Sequence, residues 1–79
     1  MRISFFGKIS DPIGKTMDIA FPESGLCVAD IRQEIAEACQ TELILDQTIR
    51  AAVNDKIVME DHRVLPGDDV VFMSDLPRG

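Results

Sequence analysis

Residues 15–39 read KTMDIAFPESGLCVADIRQEIAEAC, and the fold turns on a change of period inside this stretch. From Lys15 to Phe21 the pattern alternates. Met17, Ile19 and Phe21 fall on one side and Thr16, Asp18 and Ala20 on the other, as in a half-buried strand. Pro22-Glu23-Ser24-Gly25 breaks the alternation. Beyond it Val28, Ile31, Ile35 and Ala38 or Cys39 recur at helical intervals, with Asp30, Arg32, Gln33, Glu34 and Glu37 on the opposite side. This spacing predicts a helix over 28–39 that ends near Gln40. Asp30 suits the positive end of the helix dipole. Cys27 falls near the N-cap, where a Ser or Thr oxygen is the better acceptor, so Ser24 is the competing cap.

Upstream, Arg2 to Ile9 reads as a strand and Ser10-Asp11-Pro12-Ile13-Gly14 as a turn cluster, which makes an N-terminal hairpin with Lys15 to Phe21. Downstream, Glu42 to Gln47 has no clear period, although Leu43-Ile44-Leu45 is apolar. Ile49 to Val53 reads as a strand. Asn54-Asp55 is a turn pair that tolerates positive φ, and Lys56 to Met59 returns as a short strand. Pro66-Gly67 signals a type II turn before a last strand, Val70 to Met73. The order is β-β-α-β-β-β. One helix with a single apolar stripe must bury it against a half-buried sheet, which gives a two-layer α+β domain. A hairpin, a helix and then more strands is the order of a β-grasp (ubiquitin-like) fold: a mixed sheet with one main helix packed on one face. The domain is expected over residues 1–73 and a flexible C-terminal tail over 74–79. Phe5, Ile31, Ile35, Val53, Val70 and Phe72 are the expected core.

Seventy-nine residues make one domain. A chain this short buries only about 60% of the surface its unfolded form exposes, which leaves no room for an enzyme pocket with its own cofactor cleft. The net charge is −6, and the basic residues (Arg2, Lys8, Lys15, Arg32, Arg50, Lys56, Arg63 and Arg78) are scattered. Displacing counterions from a phosphate backbone needs clustered Lys and Arg. Nucleic acid and an anionic membrane are therefore unexpected partners. No apolar run approaches the ~20 residues that span a bilayer, and the start is too short for a signal-peptide core, so a cytoplasmic location is expected. Cys27 and Cys39 lie at opposite ends of the predicted helix, ~18 Å apart at 1.5 Å per residue, beyond the reach of a disulfide. His62 is the only histidine and no cysteine or carboxylate cluster has metal-ligand spacing, so no metal site is expected. Asp61 beside His62 has the composition of a base–orienter pair.

Phe5 and Phe6 are adjacent, so they point to opposite faces of the first strand. With Ile3 and Phe5 on the helix side, Phe6 and Met73 face away, and Ile57 joins them. These three are the expected partner-binding residues on the open face of the sheet.

The stretch Arg50-Ala51-Ala52-Val53-Asn54-Asp55-Lys56-Ile57-Val58, then Asp61-His62, then Leu65-Pro66-Gly67-Asp68-Asp69-Val70-Val71-Phe72 resembles molybdopterin synthase small subunits, sulfur carriers of the MoaD/ThiS type. Ile3-Ser4-Phe5-Phe6-Gly7 resembles their first strand and Cys27-Val28-Ala29-Asp30-Ile31-Arg32 their helix start. The resemblance runs over essentially the whole chain. It implies that the carboxylate of Gly79 is adenylated by an E1-like adenylyltransferase, which uses ATP, and is then converted to a thiocarboxylate. The tail, positioned through Leu76, Pro77 and Arg78, would enter the large subunit of molybdopterin synthase, in a heterotetramer, and pass sulfur to a cyclic pyranopterin in molybdenum cofactor biosynthesis. The open sheet face would hold the large subunit. The resemblance implies no cofactor bound by this chain. The family ends in Gly-Gly, however, whereas this chain ends Pro77-Arg78-Gly79, and Ser74-Asp75 stands where the family has a proline-rich stretch. The other reading is a β-grasp binding module that docks through its apolar sheet face without tail activation.

Overall fold

The computed structural model describes residues 2–7, 13–46 and 48–74. The elements are β1 (Arg2–Phe6), β2 (Thr16–Asp18), β3 (Leu26–Cys27), helix α1 (Val28–Cys39), a 3-10 turn (Leu43–Leu45), β4 (Ile49–Val53), β5 (Lys56–Val58), β6 (Arg63–Val64) and β7 (Val70–Ser74). Five strands form one sheet in the order β2-β1-β7-β4-β5. The first and last strands lie side by side at its centre in parallel, with Ile3 opposite Val70 and Phe5 opposite Phe72, and the other pairings in this sheet are antiparallel. This is the mixed sheet of a β-grasp fold with one helix packed across it. Ile3, Phe5, Val70 and Phe72 are buried, as are Ala51 and Val53 from β4, and the helix meets them with Val28, Ile31 and Ile35. The residues expected as core are all buried. Cys39, half-buried against this core, occupies the end of the helical stripe, while Ala38 is exposed.

The second strand is shorter than its alternation predicts, but Met17, Ile19 and Phe21 all pack on the core. The last strand reaches Ser74, which therefore belongs to the sheet and not to the tail. Two short strands have no counterpart in the sequence reading: β3 pairs with β6, Leu26 opposite Val64 and Cys27 opposite Arg63. This small ribbon sets the helix start. Cys27 is the N-cap but its side chain caps nothing; its thiol donates to Asp30 Oδ2 at 3.2 Å. Ser24 is not the cap either. The N–H groups of Val28 and Ala29 donate instead to the carbonyls of His62 and Glu60, each at 3.0 Å, so the segment between β5 and β6 satisfies them. The helix ends with Gln40 in the left-handed region at φ 54°.

Both predicted turns form. Asn54 and Asp55 have φ of 52° and 72° between β4 and β5. Gly67 has φ 99° in the turn that Asp68 N–H closes on Leu65 O at 3.0 Å. The two turns are tied together. Asp68 Oδ2 accepts from Leu65 N–H at 2.9 Å and Oδ1 from Asn54 Nδ2 at 3.2 Å, while Asn54 Oδ1 accepts from Asp69 N–H at 3.0 Å.

Arg32 corrects the polar-face reading of the helix. It is only 5% exposed. Its Nε donates to Glu60 Oε1 at 2.8 Å and its Nη1 to Ile44 O at 2.6 Å and Asp46 O at 3.4 Å, while Nη2 donates to Ile49 O. The guanidinium lies 5.3 Å from the centroid of the Phe72 ring. The ambiguous stretch 42–47 is thus a 3-10 turn whose carbonyls are held by an arginine from the helix.

Two stability predictions follow from these contacts. Arg32→Ala leaves the Ile44 and Ile49 carbonyls without their donor, and at about 1–3 kcal/mol per buried group left unpaired it should lower the unfolding free energy by roughly 2–6 kcal/mol. Glu60 is half-exposed, so Glu60→Gln should cost less than about 1 kcal/mol. Urea titration of the two variants checks the order, and equal losses would show that the ion pair, not the carbonyl contacts, is what matters. The bonds from Leu65 N–H and Asn54 hold the Asp68 carboxyl below its ordinary range. A lowered folded-state value gives stability that is complete above the unfolded-state value, near 3.9, and is lost as pH falls through the folded-state value. Asp68→Asn should therefore lose less stability than the parent between pH 6 and pH 3, measured as urea midpoints.

Candidate functional site

The face of the sheet turned away from α1 is built by strand alternation alone. Since Ile3, Phe5, Val70 and Phe72 point at the helix, Ser4, Phe6, Val71 and Met73 point outward. Register then sets which of them meet. Phe6 stands opposite Met73, and Met73 opposite Arg50, in one row; Ser4, Val71, Ala52 and Ile57 stand across the four strands in the next. Phe6 is 60% exposed and Ile57 55%, values far above those of their core counterparts. Met73 is half-buried, not exposed, flanked by its neighbours in the row. Of the three residues predicted for this face, Phe6 and Met73 are therefore in contact register, and Ile57 lies three strands from β1, ~14 Å away at 4.8 Å per strand. The sequence reading missed Met59, 76% exposed, although it continues the alternation from Ile57, and missed Arg50, which places a cation beside Met73.

A groove of about 550 Å³ borders edge strand β5 between Leu45, Ile57 and Met59. Its ionisable lining is Arg32, Arg50 and Glu60, of which Arg32 and Glu60 bind each other, so it offers neither a nucleophile nor a general base. Among the described residues no three His, Cys, Asp or Glu side chains are grouped to hold a metal ion. His62 is exposed and serves the turn with its backbone, its N–H donating to Met59 O at 3.1 Å. Cys27 and Cys39 are free thiols. No described helix is long and apolar enough to cross a membrane. The tail residues singled out by resemblance, Leu76, Pro77, Arg78 and Gly79, lie outside the described residues. The described chain stops at Ser74, which pairs with Ile49 in the centre of the sheet.

Residues 3–74 match the ThiS family. The chain belongs to that family. No curated protein matches it at a significant level. Among solved structures it is similar to a Pyrococcus furiosus protein provisionally described as subunit 1 of a molybdopterin converting factor, with TM-score 0.75, 22% identity and 95% of each chain covered. It is also similar to SAMP1 from Haloferax volcanii, with TM-score 0.75, 12% identity, and 99% of this chain and 97% of that one covered. A second structure of that H. volcanii small archaeal modifier protein 1 gives TM-score 0.72, 12% identity and 95% coverage of each chain. At these identities the structural likeness carries the fold, and the fold is the one shared by this ThiS-family chain and by ubiquitin-like modifiers.

The two faces should respond differently to charge. Phe6→Asp and Ile57→Asp change exposed positions and should alter stability by no more than about 0.5 kcal/mol, or less than about 4 °C in Tm. Phe5→Asp, at a site that is 1% exposed, should not fold. Thermal melts of the three variants decide; an unfolded Phe6→Asp would place Phe6 in the core.

Proposed function

We propose that this chain is the sulfur-carrier small subunit of a molybdopterin synthase. The observation that carries the reading is the ThiS-family match over residues 3–74. On this reading the chemistry belongs to the segment that follows Ser74. Carboxylates are poor electrophiles. Attack of the Gly79 carboxylate on the α-phosphorus of ATP, in an E1-like adenylyltransferase, releases pyrophosphate and gives an acyl-adenylate. A sulfur nucleophile adds to that carbonyl, AMP leaves, and a thiocarboxylate remains. Two such transfers supply the dithiolene sulfurs of the pterin in the large subunit. The molybdopterin assignment, over thiamin or tRNA thiolation, rests on the Asp61-His62 and Gly67-Asp68 features and on the converting-factor description of the P. furiosus structure.

In this reading the outer sheet face docks the domain and the tail reaches the chemistry. Glycine at the terminus has no Cβ and can pass a narrow channel. Arg78 is the departure from the family's Gly-Gly ending, and it favours the second reading, a binding module whose tail is never activated. Incubation with an E1-like activating enzyme, ATP and sulfide separates the two. The expected outcome is a gain of ~16 Da in intact mass as sulfur replaces oxygen, lost when Gly79 is deleted. An unchanged mass, together with full activity of the complex after deletion of Gly79, establishes the binding module. Arg78→Gly then reports on the departure: faster thiocarboxylation marks Arg78 as an impediment, and slower marks it as part of recognition.

A further inference from the structure

Ser74 is the last residue of β7 and the point from which residues 75–79 continue. On one side it pairs with Ile49 of β4. On the other side the parallel register that sets Phe6 opposite Met73 brings Gly7 beside it. Gly7 has φ 82°, and a Cβ built on it would overlap Ser74 Oγ while standing 3.3 Å from Ser74 O and 3.4 Å from Ser74 N. Rotation of the Ser74 hydroxyl relieves the overlap but not the crowding of the backbone. The space left by the missing side chain of Gly7 is therefore where Ser74 sits. Gly14 and Gly67 also have positive φ, yet a Cβ on either meets nothing within 4 Å, whereas one on Gly25 would overlap Val64 O. Gly14 and Gly67 satisfy a turn; Gly7, like Gly25, also admits a neighbour.

We propose that Gly7 forms a notch that seats Ser74 and so fixes the backbone of the residue that precedes the tail, which makes Gly7 and Ser74 positioning residues for tail-dependent transfer. The notch stands on geometry alone; its use in transfer rests on the sulfur-carrier reading. Gly7 and Ser74 directly follow Phe6 and Met73, the pair at one end of the outer apolar row. A partner docked on that pair consequently meets the tail root at a fixed place. Release of one residue from a single backbone conformation corresponds to a loss of about five- to thirtyfold in the population of the productive geometry. This loss should fall on turnover, because the docking residues are untouched.

The test compares the full chain with Gly7→Ala, Ser74→Gly and the double variant, by ¹⁵N relaxation and by pyrophosphate release with ATP, an E1-like activating enzyme and sulfide, which displaces AMP and lets the enzyme turn over. The amide of residue 74 should have an order parameter of about 0.85 in the parent and fall toward about 0.6 in each variant. The turnover number should fall about five- to thirtyfold with KM for the chain within about twofold, and the double variant should be no slower than Gly7→Ala, because both changes remove the same seat. An unchanged order parameter at residue 74 in Gly7→Ala, or losses that multiply in the double variant, would overturn the proposal. Alanine is strained at positive φ, so Gly7→Ala will also melt earlier; a rate loss that vanishes well below its midpoint is structural and counts against the notch. If residue 74 loosens as expected but the parent chain releases no pyrophosphate, the notch stands and the sulfur-carrier reading falls.

Discussion

The guanidinium of Arg32 ties separate parts of the chain together through one side chain. Its Nη1 and Nη2 hold the carbonyls of Ile44 and Ile49, its Nε holds Glu60, and its plane lies near the ring of Phe72. Phe72 is in turn stacked on Phe5, with centroids 6.1 Å apart. One side chain from α1 thereby fixes the 3-10 turn, the start of β4 and the segment after β5 against the central strands. Lysine cannot substitute, because a single ammonium lacks the planar fork that reaches three separate oxygens. The consequence extends to the site. Ile49, whose carbonyl Arg32 holds, is the residue that pairs with Ser74, so the buried cation anchors the strand against which the tail root lies.

Around this anchor a single residue of offset along the sheet separates buried apolar residues from exposed ones. Phe5 and Phe6 are chemically identical neighbours, yet one is 1% exposed and the other 60%. Burial of apolar surface is worth about 25 cal/mol per Å² whether the covering surface is the helix or a partner. Phe5 has contributed that energy to the fold; Phe6, Ile57 and Met59 still hold theirs. Six large apolar residues are exposed among those described. Three of them, Phe6, Ile57 and Met59, follow the outward alternation of the sheet.

The legible part of this fold is the part that repeats. The helix over 28–39 was readable to the residue because its stripe runs for three turns, and β1, β4 and β7 because each carries at least four residues of strand character. Asn54-Asp55 and Pro66-Gly67 were readable because their backbone angles exclude most other residues. The ribbon of β3 and β6 was not, since two-residue strands have no period. Arg32 was misread for a related reason. Periodicity assigns a charge to water, and only the three-dimensional arrangement shows carbonyls waiting for it. Met73 was placed on the correct face, but its exposure depended on Phe6 and Arg50 across the strands, which is register information. The tail chemistry was never in the periodicity at all; it came from family resemblance.

Arg32, the outer face and the Ser74 seat meet in one energetic argument about transfer. Fixing backbone costs about 1–2 kcal/mol per residue, so whatever part of Asp75 to Gly79 is not already fixed must be ordered at the partner's expense, up to about 5–10 kcal/mol for all five residues. On the proposed reading the tail must meet an activating enzyme and then a synthase subunit, and leave each of them. Apolar contact on the sheet face would offset that ordering cost without adding contacts at the reacting carboxylate. A seated Ser74 lowers the remaining cost further by removing one residue from the segment to be ordered. On that reading the domain and the terminus would be complementary halves of one device, and Ser74, which lies between Ile49 and Gly7, would be the joint at which looseness forfeits what docking supplies.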